Sequence, residues 1–276
     1  DCNVGVKGEG FEYIFGRGKG LVSIRYNGVQ LLDDTVRPNF WRAPTNNDEG
    51  CAEPFTFAFW KTAGLYARCD NLTAETKGDF VIARANYTLP DGQTLPIDFA
   101  IDGAGRCDIT MTWQGTRTEL PEFGLLFPLR RELTEVSYLG LGPRETTADR
   151  TAGGKMGAWN YNVRQDFAQN SPVYPQECGS RTGVYRAALT GRDTEVPGIR
   201  FASDDGMTFS ALPYTPHELE NARHLYELPR DDNKTIVRCA AFQRGVGGDN
   251  SWGAKPHADA CFAVEKGTSF RFTIQK

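Results

Sequence analysis

The residues of this chain that are best suited to bind a small polar ligand begin with Asn46, Asn47 and Asp48. Their amide and carboxylate groups can donate and accept several hydrogen bonds to one ligand. They lie in the segment 37–50, whose two prolines restrict the backbone and whose aromatic and polar residues are typical of a rigid surface loop. The same three side chains could instead bond their own backbone in an Asx turn, and the sequence leaves both roles open.

A second group of candidate ligand-binding residues lies in the glycine-rich segment 245–253. The glycines allow the backbone to turn sharply and to approach a ligand closely, while Trp252 offers a flat apolar face. Asp249 and Asn250 stand next to that ring in the chain and complete the group. The alternative for Trp252 is burial in the core, since large aromatic side chains mainly serve that purpose. The tryptophans for which burial is the expected role are Trp41, Trp60, Trp113 and Trp159.

The histidines and cysteines lack the spacing that a metal site requires. His217 and His224 are not at the i, i+4 spacing of a zinc-binding helix, the third histidine is His257, and no Cys-x-x-Cys pair occurs. The odd number of seven cysteines argues against a disulfide framework, so we expect reduced thiols in a cytoplasmic protein. The cysteines are Cys2, Cys51, Cys69, Cys107, Cys178, Cys239 and Cys261.

Composition and charge exclude several classes of protein. The chain has 276 residues, of which 39% are hydrophobic, so it can bury a substantial core. Its 31 basic and 35 acidic side chains give a net charge of −4 without a long run of either sign, which argues against a nucleic-acid or membrane partner. No apolar stretch of about eighteen residues predicts a membrane span. The first residues contain neither a leader pattern nor an initiator Met, as expected of a piece of a longer chain.

Short segments of alternating apolar and polar residues, each long enough for one strand, dominate the chain. Turn-forming pairs separate them, and both Asn27-Gly28 and Asp91-Gly92 accept the two positive φ angles of a tight hairpin. We therefore expect an all-β protein, a large antiparallel β-sandwich, in one domain that covers residues 1–276. The segments expected to form strands are 11–15, 21–26, 80–87, 97–101, 107–113, 184–189, 199–202, 207–211, 235–242 and 269–274.

Helices are expected in only two places, residues 55–64 and 216–225. Neither alternates with strands as the helices of a (β/α)₈ barrel do. The segment 139–183 is rich in Gly, Asn, Arg and Gln and poor in alternation, so we expect a long loop there. Loops of that length are usually functional or bind a partner.

Five strings of residues resemble one family of enzymes. The segment 37–50, Arg-Pro-Asn-Phe-Trp-Arg-Ala-Pro-Thr-Asn-Asn-Asp-Glu-Gly, closely resembles the loop that opens the last domain of large bacterial β-galactosidases of glycoside hydrolase family two. Four more segments are similar to motifs of that domain in the same order, although Thr146, Thr147 and Asn250 depart from the usual residues. They are Tyr-Leu-Gly-Leu-Gly-Pro-Arg-Glu (138–145) followed by Asp149-Arg150, Pro-Gln-Glu-Cys-Gly-Ser-Arg-Thr (175–182), Ser-Ala-Leu-Pro-Tyr-Thr-Pro-His-Glu-Leu (210–219) and Gly-Val-Gly-Gly-Asp-Asn-Ser-Trp-Gly (245–253).

The resemblance implies a galactose mutarotase-like supersandwich and a role as the C-terminal domain or small subunit of a retaining β-galactosidase. Such an enzyme hydrolyses terminal β-D-galactosides such as lactose. The resemblance also implies that Trp252 reaches the active site of a separate barrel domain as a platform for the sugar, and that the loop near Gly50 lies beside the same cleft. The remaining substrate-binding candidates are then Asn46, Asn47, Asp48, Asp249 and Asn250.

The catalytic residues are expected outside this chain. Retaining glycoside hydrolysis needs two carboxylates about 5 to 5.5 Å apart; in the family that the chain resembles the acid follows an Asn, whereas no Asn-Glu pair occurs here. Glu145 and Glu177 lie in motifs that resemble loop-bracing segments, so we expect no catalytic residue. The arginines expected to clamp backbone carbonyls or those two carboxylates are Arg42, Arg144, Arg150 and Arg181.

The resemblance also implies partners. They are the β-galactoside, the remaining domains or large subunit of the enzyme, and further copies in an oligomer. The Mg²⁺ and Na⁺ common in the family belong to other domains, so no cofactor is expected in this chain. Two other functions stay open: a non-catalytic carbohydrate-binding or oligomer-scaffold module, and a free-standing aldose 1-epimerase, which would use a His and a carboxylate as acid and base.

Overall fold

The computed structural model of the chain describes residues 3–192, 195–250 and 252–276, so Cys2 and Ser251 lie outside the described residues. β-Strands are the main regular secondary structure of this part, which confirms the expected all-β class. The strands are β1 Asn3–Gly8, β2 Phe11–Gly16, β3 Gly20–Tyr26, β4 Val29–Gln30, β5 Arg37–Asn39, β6 Arg68–Lys77, β7 Phe80–Thr88, β8 Thr94–Asp102, β9 Cys107–Thr112, β10 Thr118–Glu119, β11 Glu122–Arg130, β12 Leu133–Gly142, β13 Lys155–Asn162, β14 Arg181–Gly191, β15 Ile199–Leu212, β16 Lys234–Gln243, β17 Ala263–Val264 and β18 Ser269–Gln275.

The described strands form three antiparallel sheets. β1 to β4 form a four-stranded meander, β10 pairs with β17, and the other twelve strands form one large sheet. The main path of the large sheet runs β13-β12-β14-β15-β18-β9-β8-β7-β6. A branch leaves this path at the long strand β15: residues 200–202 pair with β18, whereas residues 208–212 pair with β16, which continues to β11 and β5.

The core lies where the branch and the four-stranded sheet pack against the main path. Phe127 of β11 contacts Phe201 of β15 and Phe272 of β18, with ring centroids 5.3 and 6.0 Å apart. Phe15 of β2 packs against Phe99 of β8 at 5.0 Å. All five rings are at most 2% exposed, and aromatic side chains of this size bury a large apolar area. These contacts hold the layers together as the predicted β-sandwich.

The helices are short and mostly lie in connections. They are α1 Asn46–Gly50, α2 Glu53–Thr56, α3 Ala58–Ala63, α4 Val163–Asn170 and α5 Pro216–Asn221. The expected helix at 55–64 is split into α2 and α3, because Phe57 between them has the non-helical angles φ −105° and ψ 16°. α5 starts at a capping box of Thr215 and Glu218 and is followed by the 3-10 turn Leu225–Glu227. None of the helices within the described ranges is long and apolar enough to cross a membrane.

The segment 139–183 is not the long loop that its composition predicts. It contains the end of β12, the whole of β13 and the eight-residue helix α4, which Asn162 caps by accepting hydrogen bonds from two backbone N–H groups. β13 is an edge strand whose side chains are exposed or half-buried. Apolar alternation is weak in such a strand, which explains the wrong prediction.

One of the two predicted hairpin turns has the expected geometry. Asn27 and Gly28 both have positive φ, at 51° and 80°. At the second turn Gly92 has φ 85°, but Asp91 is not in the positive region. The backbone closes this turn, because Gly92 N donates to the Leu89 carbonyl and Leu89 N to the Gln93 carbonyl, both at 2.9 Å. The Asp91 carboxylate adds a hydrogen bond from the backbone N–H of Gln93 at 3.1 Å.

Candidate functional site

Three loops, of which the first contacts the other two, carry most of the candidate binding residues. We call the surface that they form the loop face; it consists of residues 42–56, 171–180, 245–250 and 252–257. The side-chain amide of Asn47 donates to the Ala254 carbonyl at 2.8 Å, and the backbone N–H of Asn46 donates to Gln176 Oε1 at 3.2 Å. Segments that are far apart in the sequence therefore form one continuous site.

Asp48 holds the first of these loops from inside. Its carboxylate accepts hydrogen bonds from Thr45 N and Thr45 Oγ1 at 2.6 and 2.9 Å. It also forms a bidentate ion pair with Arg42, at 2.5 and 3.0 Å. Asp48 is only 2% exposed, so the expectation that it contacts a sugar is corrected: its oxygens bond the loop itself.

Arg42 joins the first loop to the third. Besides pairing with Asp48, its guanidinium donates to the carbonyls of Gly245 at 2.8 Å and Arg244 at 3.3 Å. Burial works against the charge, but the neighbouring Asp48 outweighs it, so the pKa of Arg42 is raised. These contacts confirm the clamping role that the sequence predicts for this arginine.

Two of the other predicted arginine clamps also brace loops. Arg181 is 2% exposed and pairs with Asp166 of α4 at 2.9 Å. Arg150 pairs with Glu145, as its motif predicts. Arg144 is exposed and forms no ion pair with the part of the chain that the structure describes, so a clamping role for this residue has no support.

The third loop packs against the first, backbone to backbone. At Gly253 φ is +78°, and a Cβ atom there would lie 2.3 Å from the carbonyl carbon of Gly50, so a side chain does not fit. Asp149 fixes the start of the same loop by accepting a hydrogen bond from Gly247 N at 2.8 Å. Burial tends to raise the pKa of Asp149, but this bond and a hydroxyl bond from Thr147 lower it on balance.

Trp252 projects from this loop into solvent. The residue is 87% exposed, so the alternative that it belongs to the core is wrong. Its backbone N–H donates to Asn250 Oδ1 at 2.8 Å, which fixes the local turn. The other tryptophans behave as expected of core residues, with exposures of 3% for Trp41, 5% for Trp60 and 0% for Trp113, while Trp159 is half-buried.

The polar candidates differ in the groups that they leave available. Asn46 is exposed, and its side chain has no hydrogen bond to the described part of the chain. Asn47 is half-buried because its amide holds the third loop. Asp249 is exposed and pairs with His257 Nε2 at 2.9 Å, and this bond raises the pKa of His257. A flat apolar ring beside amide and carboxylate groups suits a polar ligand with one apolar face.

A cluster of buried charges lies behind the loop face. Arg238 of β16 pairs with Glu122 of β11 at 2.8 Å and with Glu177 of the second loop. Gln243 Nε2 donates to both carboxylates, at 3.0 and 3.1 Å. The three charged side chains are at most 3% exposed. Two carboxylates therefore share one guanidinium where unpaired charge is costly.

The carboxylates of this cluster are positioned to brace the fold. Burial raises the pKa of Glu122, against the opposing effect of Arg238. Glu177 also accepts a hydrogen bond from Ser180 Oγ at 3.1 Å, and Glu145 accepts one from Gly179 N at 2.6 Å. Glu145 and Glu177 thus have the loop-bracing contacts that their motifs predict. Because Glu122 and Glu177 are buried, neither can reach a ligand on the surface.

The sequence contains a signal for this buried cluster of charges. Glu122 stands at the head of the apolar run Phe-Gly-Leu-Leu-Phe, and Arg238 stands between Val237 and Cys239. A charged residue inside an apolar strand predicts a buried ion pair, because an unpaired charge is rarely tolerated there. What the sequence does not contain is the pairing of β11 with β16 that brings the two side chains together.

A second buried ion pair ties the first loop to the third. Arg244, directly before the glycine-rich loop, pairs with Glu53 of α2 at 2.8 and 3.0 Å. Its guanidinium also lies 5.1 Å from the ring centre of Phe57, a favourable cation–π geometry. This ion pair therefore fixes the backbone segments that carry the exposed residues of the loop face.

The remaining histidines and cysteines have structural surroundings. His217 Nε2 lies 2.7 Å from the Lys61 carbonyl, and the His224 ring stacks on Tyr226 with centroids 5.1 Å apart. The six described cysteines are free thiols. Among the residues that the structure describes, no group of three or more His, Cys, Asp or Glu side chains is placed to hold a metal ion.

Comparison with known proteins places the chain in a family. The family model described as beta galactosidase small chain matches residues 7–274. The chain belongs to the β-galactosidase small-chain family. A β-galactosidase small subunit from Latilactobacillus sakei is 31% identical over 308 residues, which cover 99% of this chain and 95% of that protein. The β-galactosidase of Lactobacillus delbrueckii subsp. bulgaricus is 37% identical over 281 residues, which cover 100% of this chain but 27% of that protein.

This small chain thus spans 26 to 28% of the length of four curated β-galactosidases that it matches. Solved structures that align with it include a galactose 1-epimerase from Lactobacillus acidophilus, with 8% identity, a TM-score of 0.41 and coverage of 99% of this chain and 92% of that chain. A β-arabinopyranosidase aligns with 11% identity, a TM-score of 0.49 and coverage of 98% of this chain and 39% of that chain.

The loop face of this small chain exposes side chains of the types that bind polar ligands. It exposes a stacking ring, amide groups and the carboxylates of Glu49 and Asp249 on loops that buried ion pairs hold in place. The acid–base groups in its described third loop, Asp249 and His257, are bonded to each other and are 78% and 66% exposed as side chains. The arrangement therefore favours binding over acid–base catalysis by this chain.

Proposed function

We propose that this chain is the small-chain part of a retaining β-galactosidase of glycoside hydrolase family two. Its loop face forms the aglycone-side wall of a cleft whose catalytic carboxylates lie in a separate barrel domain, and the substrates are terminal β-D-galactosides such as lactose. The observation that carries this proposal is the 87% exposed ring of Trp252 on a braced loop, in a chain of the β-galactosidase small-chain family.

Trp252 is the proposed sugar platform, because an exposed indole ring can stack on the C–H face of a sugar. Asn46, Asn47, Asp249 and Asn250 then supply hydrogen bonds to hydroxyl groups. Binding surfaces are effective when their supporting groups are already fixed, and the buried contacts behind these loops provide that support. Asp48 is assigned to this support and not to the sugar.

The catalytic pair has to come from the rest of the enzyme. Retaining hydrolysis needs two carboxylates about 5 to 5.5 Å apart that face the sugar. Glu122 and Glu177 are near each other through Arg238, yet each side chain is 1% exposed. The large part of the relatives that this chain does not match is the natural place for the catalytic domain. That part would also bind any Mg²⁺ or Na⁺, and this chain needs no cofactor.

We place the complete enzyme in the cytoplasm, where the free thiols of this chain would stay reduced. Its partners are the β-galactoside and the remaining domains or large subunit, with further copies in an oligomer. The scaffold alternative makes a different claim: that the chain stabilises the assembly without touching sugar. Kinetics of a Trp252 variant separate the two.

The test uses the complete enzyme with Trp252→Ala. Loss of one aromatic contact should weaken the binding of substrate or of a galactose-like inhibitor by about 1 kcal/mol, roughly fivefold. Tyr226→Ala is the matched control, since Tyr226 is 81% exposed and lies outside the loop face. Unchanged KM and inhibition constants in the Trp252 variant would contradict the platform and support the scaffold.

A separate measurement tests where catalysis occurs. The isolated chain should not cleave a chromogenic β-galactoside, because the buried carboxylates cannot reach it. Turnover that survives purification to constant specific activity, and that Glu145→Gln or Glu177→Gln abolishes, would show that this chain carries the catalytic residues itself.

One observation favours a second candidate function, aldose 1-epimerase activity. His257 and Asp249 are an exposed His–carboxylate pair on the loop face, and that chemistry needs an acid and a base. They bond each other at 2.9 Å, however, which leaves no room for a sugar between them. Polarimetry of α-galactose mutarotation with the purified chain decides: acceleration that His257→Ala removes would support the epimerase.

A further inference from the structure

A large open cavity lies on the face of the twelve-stranded sheet that points away from the core. Its volume is about 1090 Å³, and strands β9, β12, β13, β14, β15 and β18 contribute to its lining. The side chains of Ala187, Phe201 and Phe272 are buried, so the alternate residues of the same strands face the cavity. A cavity of this size can hold a small-molecule ligand. None of the described residues that line it belongs to the loop face.

Three arginines of this cavity surround one small residue, Ala202 of β15. Ala202 pairs with Arg186 of β14, and Arg200 lies two residues before Ala202 on the same face of β15. On its other side Ala202 pairs with Thr273 of β18, and Arg271 lies two residues before Thr273. The strand register therefore brings the three arginines to one part of the sheet face, where the alanine leaves open space between them.

These arginines are not neutralised by carboxylates. Arg186 and Arg271 form no ion pair with the described part of the chain, and Arg200 donates to the backbone carbonyl of Lys276 at 3.1 Å. Arg186 and Arg200 are diagonal neighbours on adjacent strands, which places their Cβ atoms roughly 7 Å apart. Two like charges this close repel each other. Their guanidinium groups do not stabilise the sheet, and they are available for an anion.

Three carboxylates also line the cavity. Asp108 is already engaged, because it pairs with Arg106 at 2.8 Å. Asp204 and Asp205 are exposed and form no ion pair with the part of the chain that the structure describes. Asp204 follows Arg200 by four residues on β15, which is roughly 13 Å along the strand. The cavity thus offers free cations and, at one end, free acceptor oxygens.

This lining complements an anion that also carries hydroxyl groups. Guanidinium groups bind phosphate oxygens through paired, charge-assisted N–H bonds. Ionised carboxylates only accept hydrogen bonds, so they suit the O–H groups of a sugar. A bare phosphate would be repelled by Asp204 and Asp205, and a neutral sugar would make no use of the positive charge.

We propose that this cavity binds a phosphate ester of a sugar. The phosphate lies over Ala202, between Arg186 and Arg200, while Arg271 and Asp204 bind hydroxyl groups of the sugar. The site lies outside the loop face, and it does not depend on the proposed function.

The first experiment is isothermal titration calorimetry of the complete purified protein with glucose 6-phosphate, inorganic phosphate and glucose. We expect glucose 6-phosphate to bind at least tenfold more tightly than either of the other two, because only the ester engages both kinds of group. Binding should weaken as salt is added, since exposed charges are screened. Equal affinity for the ester and for inorganic phosphate or glucose, or no binding of the ester, would overturn the proposal.

The second experiment introduces Arg186→Gln and Arg200→Gln separately. Each should weaken the binding of glucose 6-phosphate about tenfold, the effect of losing one charge-assisted contact. Arg84→Gln is the matched control: Arg84 is exposed on the same face of the same sheet, but it lies outside the cavity and pairs with Asp98 at 2.5 and 2.6 Å. It should leave the affinity unchanged. Equal affinity of all three variants would overturn the proposal.

Two further variants test the sugar end and the location of the site. Asp204→Ala should weaken the binding of glucose 6-phosphate but not that of inorganic phosphate, because only the ester has hydroxyl groups for this carboxylate. Trp252→Ala should change neither affinity, because Trp252 belongs to the loop face. Equal effects of Asp204→Ala on the two ligands, or loss of glucose 6-phosphate binding in Trp252→Ala, would overturn the proposal.

Discussion

Removal of Arg238 should cost more stability at high pH than at low pH. Its guanidinium, 3% exposed, donates to Glu122 at 2.8 Å, to Glu177 and to Ser210 Oγ at 3.0 Å. Arg238→Met keeps much of the side-chain volume but leaves two buried carboxylates without a cation. Breaking a buried pair in this way costs about 3–5 kcal/mol, so the free energy of unfolding at pH 8 should fall by that amount.

The dependence on pH follows from the direction of the Glu122 shift. Burial raises the pKa of Glu122 above its ordinary value of 4.5, while Arg238 acts to lower it. Without Arg238 this pKa rises further. A group with a raised pKa stabilises the fold below its unfolded pKa, and that stability is lost as pH rises through the folded value. The difference between wild type and variant should therefore be smaller at pH 5 than at pH 8.

Urea unfolding followed by tryptophan fluorescence at both pH values measures this difference. The double variant Arg238→Met with Glu122→Gln is the informative control, because it removes one of the two carboxylates along with the guanidinium. We expect it to recover part of the loss at pH 8. An equal loss at both pH values, with no recovery in the double variant, would show that lost packing and not uncompensated charge is responsible.

Three further predictions concern the third loop. Trp252→Ala should lower the free energy of unfolding by less than about 1 kcal/mol, since little of the ring is buried; a loss of about 3–5 kcal/mol, as for a core tryptophan, would contradict the exposed position. Asp249→Asn should lower the pKa of His257 toward its ordinary value, which an NMR titration would show, and an unchanged pKa would refute the ion pair. Gly253→Ala should destabilise the loop by about 1–3 kcal/mol or more, which hydrogen exchange would measure. Gly28→Ala is the control and should cost less, because φ is also positive there but the space around a Cβ atom is open.

The sequence was most informative where one face of a strand is buried. The predicted segments 80–87 and 235–242 coincide with β7 and β16, whose alternation or apolar content reflects burial. It was least informative for β13, where partner strand β12 and the capped helix α4 define the structure. The alternation of apolar and polar residues reflects which side chains are buried. An exposed edge strand is held by backbone hydrogen bonds, which place few demands on the type of side chain.

The candidate site shows the same limit at the level of single residues. The family resemblance implied that Trp252 is exposed, and it is; Asn46, whose role the sequence left open, is exposed as well. Asp48 lies two residues from Asn46 in the same segment, yet its side chain faces inward, because its carboxylate pairs with the buried Arg42. Residue type predicts what a side chain can bond; the direction in which it points depends on partners that the fold supplies.

The buried charges fix the loops that carry the candidate binding residues. Such clusters are a weak source of stability, because apolar side chains of the same volume often serve as well. Here, however, the contacts reach every loop of the face: Arg42 binds the first and third loops, Arg244 ties α2 to the third, and Arg238 holds the second through Glu177. Apolar replacements could fill the space but would not fix the loops relative to one another. Variants of the cluster should therefore weaken sugar binding beyond their effect on stability.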